Sequence, residues 1–480
     1  MRTCLLLLLA LGCGGELAAA APVFRAGAFA IDVTPVELPV IVNGGMTERT
    51  ADKVHDRLHA RCIVLDDGGD AGPIALVVVD NCMMPRSLLD DAKKRIADST
   101  GISPARIMIS ATHTHSAPSV VGCLGSDVDE KYAAFLPGQI AKGVQLAHKQ
   151  LTPARIGWAV GRDEKNVACR RWKMKDGVAP SNPFTGKTND RAMMHPGFDN
   201  PNKIEATGPV DPEIPVIVLT TPAGAPIAWL SAYSLHYVGT PTLSADYFAL
   251  VCENIGKKLA SDKSPHPFVA AHANATSGDA WLMDYSQPAR REFTAPGVAE
   301  EVAAAALAAQ AKITYFDWAP IVMEERLLEV PVRMPTAEEV ETAREFAKAF
   351  EGRKPKNVPE VYARETILLS EMPATRELKL QAIRIGDLGI ATIPNEVFGS
   401  TGLGIKRESP LKTTCVIELA NGCEGYIPPP EMHALGGYET WRARTSCLEE
   451  QAEPKIRAAA IELLKKVDGL RRDAAPVTAK

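Results

Sequence analysis

The clearest hydrophobic pattern in the chain is a strand–helix–strand alternation over residues 74–110. Ile74–Asp80 is a continuous apolar run that ends in an acid, which is typical of a strand buried on both faces. Pro85 then opens a segment with apolar residues at helical spacing, and Gly101 closes it. The apolar run Ile107–Ser110 follows, so the pattern predicts a βαβ unit. In sheets built from such units, active-site groups lie beyond the carboxyl ends of the strands.

Helical and strand-like segments continue to alternate along the rest of the chain. Further helices are predicted at residues 132–148, 247–259, 298–311, 340–350 and 454–467. Further strands are predicted at residues 155–160 and 268–271, and as two hairpins formed by 216–220 with 227–233 and by 378–385 with 388–393. Residues 161–211, rich in Asn, Pro, Gly, Lys and Arg, are interpreted as a long surface loop. The expected fold class is therefore α/β (or α+β), with mixed β-sheets flanked by helices in a single large domain.

Composition places the chain among ordinary globular proteins with a sizeable core. It has 480 residues, of which 46% are hydrophobic and 23% charged. The net charge of -5 and the absence of long Lys/Arg runs argue against nucleic acid as a partner.

The first 21 residues have the pattern of a secretory signal peptide. Arg2 precedes an apolar run from Leu5 to Leu11, and small residues lead to a cleavage site near Ala20. We therefore expect export to the periplasm, the cell envelope or the extracellular space. Lipid attachment at Cys13 is the weaker alternative, because Ala10 stands where lipoprotein signals usually carry Leu. No later run is long and apolar enough to predict a transmembrane helix.

Ten cysteines occur, and Cys4 and Cys13 lie in the predicted signal peptide. The other eight are scattered without a CxxC motif, so a cysteine-rich zinc site is not expected. Some of them could form disulfides in an exported protein, but the sequence does not predict which ones pair.

The motif with the most chemical content is His113-Thr-His115, directly after the predicted strand Ile107–Ser110. Alternate residues of an extended segment share a face, so the two rings could point the same way unless the chain kinks between them. Imidazole is the commonest protein ligand for zinc. The alternative is a pair of hydrogen-bonded histidines at a strand end, because a two-residue motif is not specific.

Two further residues are candidate metal ligands. His236 follows the predicted strand 227–233 and precedes a loop, although a structural histidine is an equally open interpretation. Glu396 lies inside the apolar segment 390–398, where a carboxylate is costly unless it is paired or bound to a metal. Asp246 stands at the start of a predicted helix, which favours a capping role over metal ligation.

The remaining polar candidates have weaker contexts. Tyr438 lies in a glycine-rich loop, where an ordinary packed tyrosine is the simplest interpretation. Asn166 and Arg170-Arg171 could contact a substrate carbonyl or carboxylate, but they lie in the predicted surface loop. The segment 273–279 predicts either a tight loop near a site or a simple turn. Seven histidines without a distinctive context are expected to be surface or core residues: His55, His59, His148, His195, His266, His272 and His433.

Taken together, these segments resemble the catalytic domain of the neutral, non-lysosomal ceramidase family from about residue 24 to residue 468. His113-Thr-His-Ser-Ala-Pro118 is similar to the family's His-Thr-His-Ser-Gly-Pro run. His236 with Leu243-Ser-Ala-Asp-Tyr247 is similar to its second histidine and the run that follows. Pro394-Asn-Glu-Val-Phe398 and Tyr438-Glu-Thr440 resemble its Pro-Gly-Glu-Phe and Tyr-Glu-Gly segments. The four short motifs occur in the family's order, which makes the resemblance specific.

The resemblance implies one zinc ion per chain, with His113, His236, Glu396 and Tyr438 as its ligands. It also implies hydrolysis of the amide bond of an N-acyl sphingosine by water that the zinc activates. His115 would then act as a proton shuttle or as a donor to the oxyanion. Arg170 resembles a substrate-contacting arginine of the family, and Tyr426 is a second candidate substrate contact.

Three departures from the family pattern leave the substrate open. Trp281 stands where the family's Gly-Asp-Val-Ser-Pro run has a serine that is important for activity. Ala117 and Ser119 replace glycines after the histidine triplet. Residues 22–480 are expected to form the catalytic domain alone, without the family's C-terminal immunoglobulin-like domain.

The sequence therefore predicts an exported zinc-dependent amidohydrolase that acts on an N-acyl amide, either ceramide-like or a related lipid. Its expected partners are a small lipid or amide substrate and, peripherally, a membrane surface. A catalytically degenerate binding protein of the cell envelope and a zinc esterase on the same scaffold are the alternatives. The oligomeric state is not predicted.

Overall fold

A computed structural model describes residues 22–470 of the chain. The predicted signal peptide, residues 1–21, lies outside the described residues and stays a prediction. The helices are α1 (Arg86–Thr100), α2 (Glu130–Lys149), α3 (Asp246–Leu259), α4 (Ala295–Gln310), α5 (Ala337–Ala347), α6 (Val358–Ser370), α7 (Gly399–Glu408), α8 (Pro430–Leu435) and α9 (Ala452–Gly469). No helix within residues 22–470 is long and apolar enough to span a bilayer.

The strands are distributed over the whole described part of the chain. The first half contains β1 (Arg25–Asp32), β2 (Val40–Val42), β3 (Arg49–Ala51), β4 (His59–Asp66), β5 (Ile74–Val79), β6 (Ile107–Ala111), β7 (Thr152–Pro153), β8 (Arg155–Arg162), β9 (Ala168–Cys169), β10 (Arg171–Met174), β11 (Ala192–Met194) and β12 (Lys203–Ala206). The second half contains β13 (Glu213–Thr220), β14 (Pro226–Tyr233), β15 (Val269–Asn274), β16 (Ala280–Trp281), β17 (Thr314–Phe316), β18 (Ile321–Pro331), β19 (Thr375–Ile385), β20 (Leu388–Thr392), β21 (Glu396–Val397), β22 (Thr413–Ile417) and β23 (Tyr426–Ile427).

Three mixed sheets form the framework, with strand orders β6-β5-β4-β1-β7, β15-β14-β13-β8-β17 and β18-β19-β20-β22. In each sheet one edge strand runs parallel to its neighbour: β6 beside β5, β15 beside β14, and β22 beside β20. The other pairs within these three sheets are antiparallel. Each sheet therefore has one edge at which two strands end on the same side.

The core lies between the three sheets, and helices cover their other faces. One buried cluster joins residues of all three sheets, among them Met108, Leu230 and Ile390. The helices α1 and α2 cover the first sheet, α3 and α4 the second, and α9 the third. Because both faces of the central strands are buried, these strands appear in the sequence as continuous apolar runs.

The predicted fold class, with mixed sheets flanked by helices, is confirmed. The predicted βαβ unit is β5–α1–β6, and both predicted hairpins form, as β13–β14 and β19–β20. A capping box begins α5, because Thr336 Oγ1 accepts from Glu339 N–H and the Glu339 carboxylate accepts from Thr336 N–H. The helices α6, α7 and α8 were not predicted. All eight cysteines of the described residues are free thiols.

The interpretation of residues 161–211 as a solvated surface loop is wrong. The segment contains β9 to β12, and it buries Asn166, Arg170 and Arg171. Both guanidinium groups pair with the buried carboxylate of Glu439, which lies far away in the sequence. The composition of this segment is typical of a loop, but its arginines are buried, and their ion pairs with Glu439 offset the cost of that burial.

Gly27 tests the packing of α2 on β1. A Cβ at Gly27 would lie 2.2 Å from the carbonyl oxygen of Ala147 and 2.8 Å from the Leu151 nitrogen. We expect Gly27→Ala to lower the free energy of unfolding by about 1–3 kcal/mol, measured by denaturant titration, because the backbone must shift. Gly138→Ala in α2 is the control, since no atom lies within 4 Å of the added Cβ. It should raise stability by up to about 1 kcal/mol, and equal stabilities of the two variants would contradict this packing.

Lys93 provides a test based on pH. It is fully buried in α1 and donates to Asn421 Oδ1 at 2.7 Å. Burial, and then the charge of Lys379, lower the pKa of Lys93 from 10.5 to about 7. Between pH 7 and pH 10.5, the Lys93 amine is protonated in the unfolded chain but neutral in the folded protein. The free energy of unfolding of the wild type should therefore rise with pH over this range. From pH 7 to pH 9 we expect it to gain about 1–3 kcal/mol relative to Lys93→Met. A pH-independent difference would contradict the neutral buried amine.

Candidate active site

The carboxyl ends of the three parallel strand pairs meet at one place in the molecule. At the end of β6, Ala111 N donates to Leu419 O, beyond the end of β22, at 3.1 Å. Glu418 N donates to Asn274 O, at the end of β15, at 3.3 Å. These main-chain bonds link the three sheets directly at their edges. His113, His236 and Glu396 follow strands β6, β14 and β20 of these sheets, as the sequence pattern predicts.

His113 and His115 converge because the backbone kinks at His113. Its φ of 71° lies in the left-handed region, which is uncommon for residues other than glycine. His113 N donates to Asn81 O at 2.9 Å, and Thr114 Oγ1 donates to Ser244 O at 2.7 Å. The two Nε2 atoms of the histidines lie 3.1 Å apart. The rings therefore meet at their tips instead of lying side by side along an extended strand.

His113, His236 and Glu396 form a buried group that could hold a metal ion. His113 Nε2 lies 3.1 Å from His236 Nε2 and 3.3 Å from Glu396 Oε2. Two ligands at about 2.0–2.1 Å from a tetrahedral ion are roughly 3.3 Å apart. The observed spacing therefore matches the ligand–ligand distances of a zinc site.

The hydrogen bonds around the two rings determine which ring nitrogens carry protons. His113 Nδ1 lies 2.8 Å from the carbonyl oxygen of Cys82, and His236 Nδ1 lies 3.2 Å from that of Ser277. A carbonyl oxygen only accepts, so both Nδ1 atoms carry a proton, and in the neutral form of each ring Nε2 presents a lone pair. Glu396 Oε2 is buried and has no hydrogen-bond donor among residues 22–470. Three electron-rich atoms therefore face one another, which favours a cation between them.

Tyr438 and Tyr426 lie close enough to Glu396 for its charge to act on both of them. Their ring centroids are 5.8 Å apart, and the Tyr426 hydroxyl accepts from Arg170 at 3.1 Å. Burial, and then the charge of Glu396, raise the pKa of both tyrosines. The structure thus brings the predicted ligand Tyr438 and the predicted substrate contact Tyr426 to the same carboxylate. The roles of both residues stay predictions.

His115 lies beside the buried group and packs on an aromatic ring. Its ring stacks on Tyr237 with centroids 3.8 Å apart and an interplanar angle of 19°. Its main-chain carbonyl accepts from the Arg49 guanidinium. Burial, followed by the charges of His113 and Arg170, lowers the pKa of His115 well below its usual value. Burial therefore favours the neutral form of the ring.

Arg170 connects the tyrosines to the rest of the site. Its guanidinium donates to Gly278 O at 2.9 Å and to Tyr426 Oη at 3.1 Å, and pairs with Glu439 at 3.3 Å. Arg171 pairs with the other oxygen of Glu439 at 3.0 Å. Burial alone would raise the pKa of Glu439, but the two arginines lower it overall. Sequence reasoning did not identify Glu439, since only the folded chain brings its two partners to it.

A second buried carboxylate, Glu418, supports His236 through a serine. Glu418 accepts from Ser277 Oγ at 2.7 Å, Asn274 Nδ2 at 2.9 Å and Val397 N at 2.6 Å. Ser277 Oγ lies 3.3 Å from His236 Nδ1. The segment 273–279, with two interpretations open from sequence, is therefore a tight loop next to the buried group. Glu418 follows an apolar strand, so the argument that singled out Glu396 could have identified it too.

Asp246 is the first residue of α3, and the predicted capping role is wrong, because Ala245 holds the N-cap position and no side chain caps the helix. The Asp246 carboxylate instead fixes the loop after His236. It accepts from Val238 N at 3.0 Å, Gly239 N at 2.8 Å and Tyr247 N at 2.6 Å. It is not part of the potential metal-binding groups found within residues 22–470.

Two histidines without a sequence context have different surroundings in the structure. His272 is a core residue whose Nδ1 lies 2.8 Å from Ser231 Oγ. His195 instead lies beside the candidate site, where its ring packs edge-on against Trp281 with centroids 4.6 Å apart. The sequence around His195 did not predict this location. His195 lies in a segment rich in turns, without a regular pattern of apolar residues.

Comparison with known proteins supports the fold resemblance at the level of structure. No protein-family model and no curated protein sequence matches the chain. The chain is similar to the crystal structure of neutral ceramidase from Pseudomonas aeruginosa, with a TM-score of 0.69 and 17% identity, over 96% of this chain and 76% of that one. It is also similar to a ceramidase complexed with C2, with a TM-score of 0.69 and 16% identity, over 96% of this chain and 77% of that one. The chain therefore has the fold of neutral ceramidase.

Removing the Glu439 charge should leave Arg170 and Arg171 buried without their common counterion. We expect Glu439→Gln to lower the free energy of unfolding by about 3–5 kcal/mol. Glu205→Gln is the matched control, because Glu205 pairs with Lys173 at 3.3 Å in an exposed position. Its effect should stay below about 1 kcal/mol. Similar unfolding midpoints for both variants would show that the buried ion pairs do not stabilise the site.

Proposed function

We propose that this protein is an exported, zinc-dependent amidohydrolase of the neutral ceramidase type that hydrolyses an N-acyl amide. The main support is the meeting of three buried, electron-rich atoms, His113 Nε2, His236 Nε2 and Glu396 Oε2, in a chain with the ceramidase fold. Two imidazoles and a carboxylate are a ligand set found in catalytic zinc sites. Export is inferred only from the signal-like pattern of residues 1–21.

The ion would be held by His113, His236 and Glu396, with Tyr438 as the proposed fourth ligand. When bound, zinc lowers the pKa of water and polarises a carbonyl group. The protein contributes the orientation of these ligands, since Cys82 O and Ser277 O fix the two imidazole rings.

In the proposed reaction, water oxygen adds to the acyl carbon and the C–N bond breaks, giving a carboxylic acid and an amine. His115, neutral and close to His113, would accept the proton from water and deliver it to the leaving nitrogen. Arg170 holds the Tyr426 hydroxyl in place, so that Tyr426 can contact the substrate beside Glu396. The positive charge of Arg170 would stabilise the negative charge that develops on the carbonyl oxygen of the substrate.

The metal site can be tested by elemental analysis of variants. Wild-type protein purified with zinc should contain about one zinc per chain, and His113→Ala should contain little. His266→Ala, an exposed histidine on the surface, is the control and should keep the metal. A wild-type protein without metal after zinc supplementation would overturn the proposal.

Assays of amide and ester hydrolysis distinguish the proposed amidohydrolase from the two alternatives, a zinc esterase and a binding protein. We expect wild type to hydrolyse members of a panel of N-acyl amides, and chelation to abolish this activity until zinc is restored. His115→Ala should keep its zinc but lose about 10²–10⁴ in kcat, because it removes the proton carrier. Turnover of acyl-matched esters alone would indicate a zinc esterase. Zinc binding without turnover of either series would indicate a binding protein.

A further inference from the structure

Arg49 carries a positive charge next to the candidate active site. Its guanidinium donates to the main-chain carbonyl oxygen of His115. Arg170 and Arg171 are paired with Glu439, whereas Arg49 has no carboxylate partner in the part of the chain that the structure describes. Because a guanidinium carries five N–H donors, most of the Arg49 donors remain available to a ligand.

The β2–β3 hairpin holds the backbone of Arg49 beside His115. Arg49 pairs with Val42 across the hairpin, and Val42 forms a β-bridge with Pro118, shortly after His115. In the turn of the hairpin, a Cβ at Gly44 would lie 2.5 Å from His115 Cγ, so the backbone of the turn contacts the His115 ring. The fold therefore fixes the position of the Arg49 backbone relative to His115.

The Tyr237 hydroxyl is a second donor close to Arg49. The Tyr237 ring stacks on His115, and its hydroxyl has no hydrogen-bond partner among residues 22–470. Burial raises the pKa of this hydroxyl, while the charges of Arg170 and Arg49 lower it. Arg49 is exposed, and Tyr237 is partly exposed. Both donors are therefore accessible to a ligand that enters from solvent.

A guanidinium without a counterion, beside a phenolic hydroxyl, is suited to binding a carboxylate. Guanidinium N–H groups form charge-assisted hydrogen bonds with carboxylate oxygens, and these are stronger than hydrogen bonds between neutral groups. Arg49 is bonded to His115, which in the proposed reaction delivers a proton to the leaving nitrogen. The carboxylate that Arg49 binds is therefore expected on the amine side of the amide bond.

We propose that the substrate is an N-acyl amino acid, whose carboxylate binds Arg49 and the Tyr237 hydroxyl. The proposal rests on the proposed function and specifies its substrate class. In the reaction, the hydroxyl of water stays on the acyl carbon, the C–N bond breaks, and the other hydrogen of water goes to the nitrogen. The products are a carboxylic acid and an amino acid, and no further reactant is needed.

The experiment compares kcat/KM of the zinc-loaded protein for N-octanoylglycine and for the neutral N-octanoyl ethanolamine. Wild type should prefer N-octanoylglycine, and Arg49→Ala should lower this preference about tenfold, because it removes a charge-assisted hydrogen bond. Tyr237→Phe keeps the ring on His115 and should lower the preference about threefold. Arg49→Lys keeps the charge without the planar fork, so its preference should lie between those of wild type and Arg49→Ala.

Arg25→Ala is the matched control, because it removes the same charge far from the candidate site. Arg25 is exposed and pairs with Asp66 of β4, and Leu65 of β4 pairs with Ile74 at the start of β5. The candidate site lies at the other end of this sheet, beyond β6, which runs parallel to β5. The preference of Arg25→Ala should therefore stay within about twofold of wild type, since charges at this distance are screened.

Equal losses for both amides in Arg49→Ala would overturn the proposal, because Arg49 would then only hold His115 in place. A wild type that prefers the neutral amide, or a preference that Arg49→Ala does not change, would also overturn it. N-octylsuccinamate and N-octylbutanamide test a carboxylate on the acyl side. If Arg49→Ala lowers the preference only within this second pair, the carboxylate belongs to the acyl group and the proposal is wrong.

Calorimetry separates failure of this proposal from failure of the proposed function. If none of these amides is hydrolysed, the proposed function is contradicted, but the binding of N-octanoylglycine still tests the carboxylate site. The Kd of N-octanoylglycine should rise about tenfold in Arg49→Ala and stay unchanged in Arg25→Ala. An unchanged Kd in Arg49→Ala would contradict carboxylate binding by Arg49.

Discussion

The candidate site depends on one electrostatic constraint. In a buried position, His113 Nε2 lies 3.1 Å from His236 Nε2 and 3.3 Å from the carboxylate oxygen Glu396 Oε2. The backbone carbonyls of Cys82 and Ser277 accept from the Nδ1 atoms, so each neutral ring directs the lone pair of its Nε2 into the cluster. Burial makes the repulsion between such groups costly, and a divalent cation relieves it. The other groups of the site are arranged around this cluster.

The fold satisfies this constraint by ending strands of all three sheets at one point. Each sheet supplies one parallel pair, and the main-chain bonds after β6, β15 and β22 tie their ends together. The candidate ligands His113, His236 and Glu396, which are far apart in the sequence, are thereby brought together directly after strands of the three sheets. Buried polar groups reinforce the same junction, with Glu418 supporting His236 through Ser277 and Glu439 fixing Arg170. Rigid support of this kind is what a metal ligand set requires.

The pattern of apolar and polar residues within single segments was enough to predict part of this arrangement. Apolar runs gave the strands, and the polar residues directly after them gave His113, His236 and Glu396 as candidates. The convergence of these residues required knowledge of how the sheets pack, which no single segment contains. The motif resemblance supplied that information, and the fold comparison supports it at the level of structure.

Residues 161–211 were misinterpreted because the burial of Arg170 depends on Glu439, 269 positions away. His195 escaped detection for the same reason, since its partners lie in other segments.

The most direct test of this account is the anomalous diffraction of zinc-loaded crystals measured above and below the zinc absorption edge. The account predicts one strong anomalous peak per chain, within ligand distance of His113 Nε2, His236 Nε2 and a Glu396 oxygen, at about 2.0–2.2 Å. Crystals of zinc-saturated protein with no peak among these three atoms, or with a peak only at a different set of ligands, would contradict it.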